Sequence, residues 1–325
     1  MRSDASDARG EAPIRVVRII SRLNVGGPAI QAITLTRRLE PLGYDTTLIR
    51  GREDPDEGSM DYLAEELGVK PVLAGSLRRN PGFHDALALV SLVRRLRRAR
   101  PDIVHTHAAK AGTLGRAAAL LAYRRGRRPI LVHTFHGHSL SGYFSERRNA
   151  LYRRIERFLA RRTDRLIAVS DEVRDELVAL EVAEPERFEV IPLGFDLGPF
   201  LVGEPERRKR RAALRAEFGI AEDATVVTLV ARLAPIKRVD RFLSLANRLS
   251  DAPEVAFVIV GDGELRESLR SSATAGALAQ PRVAACQPGA RGKAHLLTPA
   301  ARAAAARAVP ARQRVSPRIV RASHC

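Results

Sequence analysis

The sequence predicts an α/β protein built on doubly wound parallel sheet, and three observations carry that prediction. Short β-rich runs alternate with helix-period stretches from Ile14 onward, which is the pattern of repeated βαβ units. Some of the runs are nearly continuous in Val, Ile, Leu and Ala, as strands covered on both faces are. Two such series occur, separated at 196–206 by a Gly- and Pro-containing stretch without periodicity, which reads as a hinge. The expected organisation is a disordered N-terminus at 1–13, a complete domain at 14–195 and a hinge at 196–206. A partial second domain follows at 207–283, then a basic Ala/Arg/Pro-rich tail at 284–325 that is expected to be disordered.

In the first series, strands are expected at 15–21, 45–49, 71–74, 103–106, 130–134, 166–169 and 189–192. Helices lie between them. The stretch 85–99 shows the logic: Asp85 can cap it, Leu89, Leu92, Val93 and Leu96 share one face, Arg94, Arg95, Arg97 and Arg98 solvate the other, and Pro101 follows. Seven strands with intervening helices fit one doubly wound domain. In the second series, strands are expected at 225–231 and 256–261, with helices at 239–249 and 264–277. The pattern then stops, and 300–308 is helical on propensity alone, with no apolar stripe to bury.

Composition narrows the function. With 325 residues and 45% hydrophobic content the chain can bury one large core or two modest ones, so it is not a wholly disordered protein. No run approaches the roughly 18 apolar residues that span a bilayer, and the polar, Asp-bearing N-terminus lacks a signal-like apolar stretch. The expected location is therefore the cytoplasm, or the inner face of a membrane as a peripheral protein. Cys286 and Cys325 are the only cysteines, which excludes a disulfide framework or cysteine zinc site over the first 285 residues. No Trp and 5% aromatics argue against base stacking, so no nucleic-acid partner is expected. The net charge of +18 splits evenly: residues 281–325 hold nine Lys and Arg and no acid, so about a seventh of the chain carries half the charge.

Several clusters can carry chemistry. The first strand runs into Asn24-Val25-Gly26-Gly27-Pro28 and then a helix; Gly26 and Gly27 let backbone N–H groups approach an anion at a helix N-terminus, or make a plain tight turn. His105, His107, His133, His136 and His138 fall at or beyond the C-terminal ends of two expected strands, where open α/β sheets place ligands. His-x-His on a strand puts both rings on one face, which raises zinc. No Asp or Glu lies between Asp102 and Glu146 to complete or support such a site, so a substrate-facing or structural cluster is preferred and no metal is expected. Lys110 and Arg116 flank Gly112 and Gly115 at a strand-to-helix turn, as a phosphate site or as solvated cations. Arg232 ends an expected strand and Lys237 precedes a helix; two cations so placed can neutralise a diphosphate. Gly261 and Gly263 offer another close backbone approach, or a bland turn. Residues 147–165 carry eight arginines among Leu151, Ile155, Phe158 and Leu159, read first as a core helix with a basic solvated face and second as a contact for an anionic membrane surface.

These pieces, in this order, resemble a GT-B glycosyltransferase of glycosyltransferase family 4. The matching segments are SRLNVGGPAIQ, DIVHTHAAKAG, HTFHGHSLSGYF, DRLIAVS, FEVIPLGFD, ARLAPIKRVD and VIVGDGELR, nearly collinear from Ile14 to about Val283. The resemblance implies retaining transfer of a sugar from a nucleotide-diphosphate donor to a glycan or lipid-linked acceptor of the cell envelope, without a metal or other cofactor, in the cleft between two Rossmann-like domains. It matches Gly26 and Gly27 to a glycine loop near the donor phosphates and acceptor, and His136 to the histidine that contacts the transferred sugar near its reacting carbon. Arg232 and Lys237 match the cations that stabilise the departing diphosphate, with Gly261 and Gly263 on the donor side. His107, Lys110 and His138 stand as acceptor-side candidates. Leu193 and Phe195 depart from the Asn and Val frequent in the family.

The larger departure is downstream. The family continues with further βα units and a Glu-x7-Glu element whose carboxylates hold the donor, yet the last acid here is Glu267. An abrupt Ala/Arg/Pro composition is what an out-of-frame reading of GC-rich DNA gives, so a frameshift near codons 283–286 is the expectation. With it comes impaired catalysis, or alternatively a non-catalytic fragment that acts only as a binding or membrane-associating module.

Overall fold

The computed structural model describes residues 12–54, 58–78, 82–123, 128–137, 145–249, 252, 254–261, 263–269 and the backbone of 283–284 and 318–320. It divides into two compact units, one formed by 1–54 and 59–195 and the other by 55–58 and 196–325.

The first unit is a seven-stranded parallel sheet with helices between its strands. In chain order it runs β1 (Ile14–Ile20), α1 (Gly27–Arg38), β2 (Tyr44–Arg50), α2 (Asp61–Glu66), β3 (Val72–Leu73), α3 (His84–Ala99), β4 (Ile103–His107), α4 (Ala109–Ala122), β5 (Ile130–Phe135), α5 (Glu146–Ala160), β6 (Arg165–Ala168), α6 (Asp171–Ala179) and β7 (Phe188–Val190). The sheet order is β3-β2-β1-β4-β5-β6-β7, so the chain reverses direction across the sheet between β1 and β4. Such a switch point is where doubly wound sheets open a ligand crevice at their strand C-termini. Pairing Ile20 with His107, and His107 with Thr134, brings the ends of β1, β4 and β5 level there.

Burial follows the pattern. Ile19, Val104, Leu131 and Ala118 belong to a core that takes in Leu92 and Leu96 of α3, while Ile20, Ile33 and Leu48 belong to one on α1. Asp85 does not cap α3 from outside, as expected from sequence; it is the second residue of that helix, accepting from the Gly82 N–H at 3.2 Å. The apolar set of α5 also faces other than expected. Leu151 and Phe158 are more than half exposed, whereas Asn149, Glu156, Leu159 and Ala160 are buried. The reason is an ion pair: Glu156 turns inward to meet buried Arg116 of α4 at 2.6 and 2.9 Å, and that contact sets the helix rotation.

The second unit contains α7 (Glu204–Phe218), β8 (Thr225–Val230), α8 (Val239–Arg248), β9 (Val255–Val260), β10 (Val283–Ala284) and β11 (Arg318–Val320). The stretch 196–206 holds a 3-10 turn at Gly198–Phe200 and the first residues of α7. Gly219, at φ 60°, ends α7, with the Ile220 N–H donating back to the Arg215 carbonyl at 2.9 Å, a glycine-dependent helix stop. β9 pairs with β8 along one edge and with β11 and then β10 along the other. It is buried almost throughout, as its apolar run predicts. β8 is not: Val230 is 69% exposed, because β8 pairs with β9 alone among the described strands. The remainder of 270–325 lies outside the described residues.

Candidate functional site

The C-terminal ends of β4 and β5 build a histidine cluster. Strand alternation places Arg18, His105, His107 and Thr134 on one face of the sheet and Thr106 and His133 on the other. On the first face, Arg18 Nη1 donates to Thr36 Oγ1 of α1 at 2.9 Å, and His105 Nε2 lies 2.8 Å from Thr134 Oγ1. The His105 and His107 rings sit 4.2 Å apart, and His107 Nδ1 is 3.1 Å from Nε2 of His136, just past β5. On the opposite face, His133 Nδ1 meets Thr106 Oγ1 at 2.8 Å. His-x-His thus shares one face as predicted, while the cluster as a whole straddles the sheet.

Burial keeps these rings neutral. His105, His107 and His133 are held well below the ordinary imidazole value by loss of solvent, helped by neighbouring positive charge, including Arg18 for the first two and Arg116 for the third. His136 is pushed down to about 4 by burial. Burial also lowers the Arg18 guanidinium to about 10. Among the described residues, no group of three or more His, Cys, Asp or Glu side chains is arranged to hold a metal ion.

The segment Lys110–Arg116 is held differently from a phosphate loop. Lys110 Nζ meets Asp85 Oδ1 of α3 at 2.6 Å, and Arg116 is consumed by Glu156. A Cβ on Gly112 would stand 2.3 Å from the His133 ring, and one on Gly115 2.7 Å from Thr106 Cγ2. The two glycines let α4 lie directly on the sheet, so the phosphate reading of Arg116 and these glycines gives way to packing. Gly26 caps the N-terminus of α1 and Gly27 is its first residue, with Leu193 Cδ1 3.2 Å from where a Gly27 Cβ would stand. The entry to α1 is fixed from β1: the Leu23 N–H donates to Glu53 Oε1 at 2.9 Å, and the Ala111 N–H donates to Ser21 Oγ at 3.0 Å. His138 lies outside the described residues.

In the second unit Arg232, half-buried, and Lys237, exposed, both sit on the loop from β8 to α8, Lys237 closing the 3-10 turn Pro235–Lys237. Gly261 and Gly263 follow β9 at φ 155° and 151°. A Cβ on Gly261 would stand 1.8 Å from the Ala231 carbonyl oxygen, and one on Gly263 2.7 Å from that of Leu233. These glycines press the loop after β9 onto the loop that carries Arg232. Their geometry is a packing requirement that shapes the cation-bearing loop.

The sequence alone does not single out Arg18 or Glu156, nor the pairing of Asp85 with Lys110. Arg18 was detectable, since strand alternation puts it between Val16 and Ile20 on an apolar face.

Residues 25–198 match the model of Glycosyltransferase Family 4, and residues 210–280 match that of Glycosyl transferases group 1. The chain is 34% identical to the UDP-Gal:alpha-D-GlcNAc-diphosphoundecaprenol alpha-1,3-galactosyltransferase of Escherichia coli, over 70% of this chain and 56% of that protein. It is 29% identical to the D-inositol 3-phosphate glycosyltransferase of Kribbella flavida, over 70% of this chain and 54% of the relative. The chain thus spans little more than half the length of the curated relatives it matches. Among solved structures, Anabaena HepE in complex with UDP and glucose superposes with a TM-score of 0.59 at 20% identity, over 80% of this chain and 66% of that one. Sucrose-phosphate synthase from Thermosynechococcus elongatus gives 0.57 at 18%, over 80% and 67%. These likenesses show the GT-B type of fold.

Proposed function

Because this chain belongs to Glycosyltransferase Family 4, we propose that it binds a nucleotide-diphosphate sugar and that its intact machinery transfers the sugar, with retention, to a lipid-linked or glycan acceptor of the cell envelope. The observation that carries the reading is the β8–α8 loop, which brings Arg232 and Lys237 to the C-terminal end of a parallel strand, beside a second loop packed on it through Gly261 and Gly263. There the two cations meet the developing charge of the departing diphosphate, a stabilisation that grows as the bond to the sugar breaks. The diphosphate needs no metal in this scheme. For the first unit the family resemblance assigns His136 to the sugar and Gly26 and Gly27 to the phosphates and acceptor, with His107, Lys110 and His138 as acceptor-side candidates; of these His107 is fully buried and Lys110 is paired with Asp85.

Residues 268–325 contain no acid, so this stretch does not supply the two carboxylates that hold the donor in the family, and a chain lacking them would transfer poorly. At roughly 1.5–3 kcal/mol for each charge-assisted hydrogen bond, their loss weakens donor binding by about 10²- to 10⁴-fold. That favours the second reading, a chain that keeps the nucleotide-binding loops without turnover. Isothermal titration with UDP and GDP tests both: millimolar-range binding, weakened about tenfold or more by Arg232→Ala, supports the assignment, and no binding at millimolar nucleotide overturns it. Turnover of radiolabelled donor separates the active from the inactive reading.

We also propose that α5 rests on an anionic membrane surface. Leu151 and Phe158 are exposed on a helix whose exposed positions include Arg147, Arg148 and Arg154, the pairing of apolar and basic groups that interfacial helices use. No helix among the described residues is long and apolar enough to cross a membrane. Co-flotation with phosphatidylglycerol vesicles but not phosphatidylcholine vesicles, lost in Leu151→Ser/Phe158→Ser, is the expected result; equal flotation with both overturns it.

A further inference from the structure

Residues 21–26 carry the chain from the end of β1 to the start of α1 and form no helix or strand of their own. Where Gly26 and Gly27 stand therefore depends on what grips this loop from outside. Ser21 holds its near end: Oγ accepts from the Ala111 N–H at 3.0 Å, and the carbonyl accepts from the Gly51 N–H at 3.1 Å. Gly51 is required there, since a Cβ on it would stand 2.3 Å from the Ser21 carbonyl oxygen and 2.2 Å from that of Leu77. The middle of the loop is gripped at Leu23, whose side chain is fully buried. The Leu23 carbonyl accepts from the Met60 N–H at 2.6 Å, and its N–H donates to Glu53 Oε1 at 2.9 Å. Asn24 then pairs with Ser59 in an antiparallel bridge.

Both grips on Leu23 come from the segment between β2 and α2, and Glu53 is the one made by a side chain. Its second oxygen accepts from Nη1 of Arg50, the last residue of β2. The same guanidinium donates through Nη2 to Oδ2 of Asp61, the first residue of α2, at 2.9 Å, so Arg50 ties together the two ends of the segment that holds the loop. Glu53 and Arg50 are 13% and 17% exposed, and charge-assisted bonds shielded from water in this way are strong and directional. A carboxylate suits the place because it only accepts, and here it meets two donors, a backbone N–H and a guanidinium. With both oxygens engaged inside the protein, Glu53 acts on a ligand only through the loop it holds.

We propose that Glu53 is a positioning residue: anchored by Arg50, it fixes Leu23 and so sets the backbone of Gly26 and Gly27 for the phosphates of a bound nucleotide sugar. The ordering of the loop follows from these contacts alone; its use on phosphates rests on the transferase reading above.

The test is amide NMR on the deuterated, ¹⁵N-labelled full chain. In the wild type the Leu23 amide proton resonates downfield and exchanges slowly, and residues 24–27 have order parameters near the rigid-backbone value of about 0.85. Glu53→Ala speeds Leu23 exchange about tenfold or more and lowers the order parameters at Gly26 and Gly27 toward about 0.6. Glu53→Asp keeps the charge but falls a methylene short of Leu23, and it behaves as Glu53→Ala does. A rapidly exchanging Leu23 amide in the wild type overturns the proposal before any variant is made. A rigid glycine loop in folded Glu53→Ala overturns it too, as does full recovery in Glu53→Asp. Titration with UDP-galactose reads the consequence. In the wild type the amide resonances of Gly26, Gly27, Arg232 and Lys237 all move; in Glu53→Ala the glycine shifts shrink while those at Arg232 and Lys237 persist. Leu92→Ala, a core change in α3 that also destabilises the first unit, keeps the glycine shifts, and their equal loss there would reduce Glu53 to a structural role. Glycines that stay silent while Arg232 and Lys237 respond overturn the use of the loop on phosphates. No response at any of the four refutes the transferase reading and leaves the loop-order result intact.

Discussion

At the scale of single residues, the turn between β4 and α4 holds backbone strain. Ala108 caps α4 at φ 61°, ψ 166°, a region that is essentially glycine's alone and costs on the order of 1–3 kcal/mol. It sits between His107 and the residues that begin α4, where the Ala111 N–H is tied to Ser21. Ala108→Gly should therefore stabilise the first unit by about 1 kcal/mol, read as a rise in its urea midpoint; a fall would show that the surroundings hold this conformation without strain. The histidines give a second residue-scale expectation, of definite sign. Their folded-state pKa values lie below the unfolded value near 6.5, with His136 at about 4. Between those limits the unfolded chain binds more protons than the native one, so stability is complete above about pH 6.5 and falls as pH drops toward 4. Each such group contributes a slope of about 1.4 kcal/mol per pH unit. Urea midpoints at pH 7.5, 6 and 5 should fall steadily for the wild type and less steeply for His136→Gln; a flat profile would contradict buried neutral rings.

At the scale of elements, α4 and α5 are joined by Arg116 and Glu156, the side chains being 1% and 6% exposed. Removing one partner of a buried pair strands the other charge at a cost of about 3–5 kcal/mol, whereas replacing both by apolar groups is often nearly neutral. Glu156→Ala should thus be severely destabilising, and Arg116→Met/Glu156→Leu should recover most of the loss in thermal unfolding. If the double variant is no better than the single, the pair does more than satisfy charge. This pair also marks the limit of what the sequence discloses. The strand runs were legible because parallel strands covered by helices must be apolar at contiguous positions, whereas the order in which they pair came only with the structure. Helix rotation was legible for α3, where Leu92 and Leu96 are both buried. It failed for α5, because an Arg or Glu reads as solvated until its partner, forty residues away, is known. The glycines of α4 failed for a related reason: a glycine admitted by a neighbouring histidine ring looks in sequence like one admitted by a phosphate.

At the scale of the molecule, the two units differ in how well their sheets are finished. The first buries a seven-stranded sheet beneath helices, with aliphatic clusters on α1 and on α3 and α4. The second centres on β9, with β8 paired on a single edge among the described strands and Val230 at 69% exposure. Its helix α7 is exposed along nearly its whole length, with Phe218 as its buried residue. The motifs made the cation loop and its glycines legible, while the pairing of Arg318–Val320 with β9 was not, because three residues in an Ala/Arg/Pro setting give no period. Unequal finishing of this kind leads to separate unfolding. Scanning calorimetry should resolve two transitions, the lower one belonging to the second unit. Since Arg232 and Lys237 lie in that unit, UDP should raise the lower transition and leave the upper in place, by an amount that grows as RT ln(1 + [UDP]/Kd). Arg232→Ala should reduce that shift without moving the upper transition. A single cooperative transition would mean that the units stabilise each other, and a UDP shift confined to the upper transition would move the nucleotide site to the histidine-bearing unit.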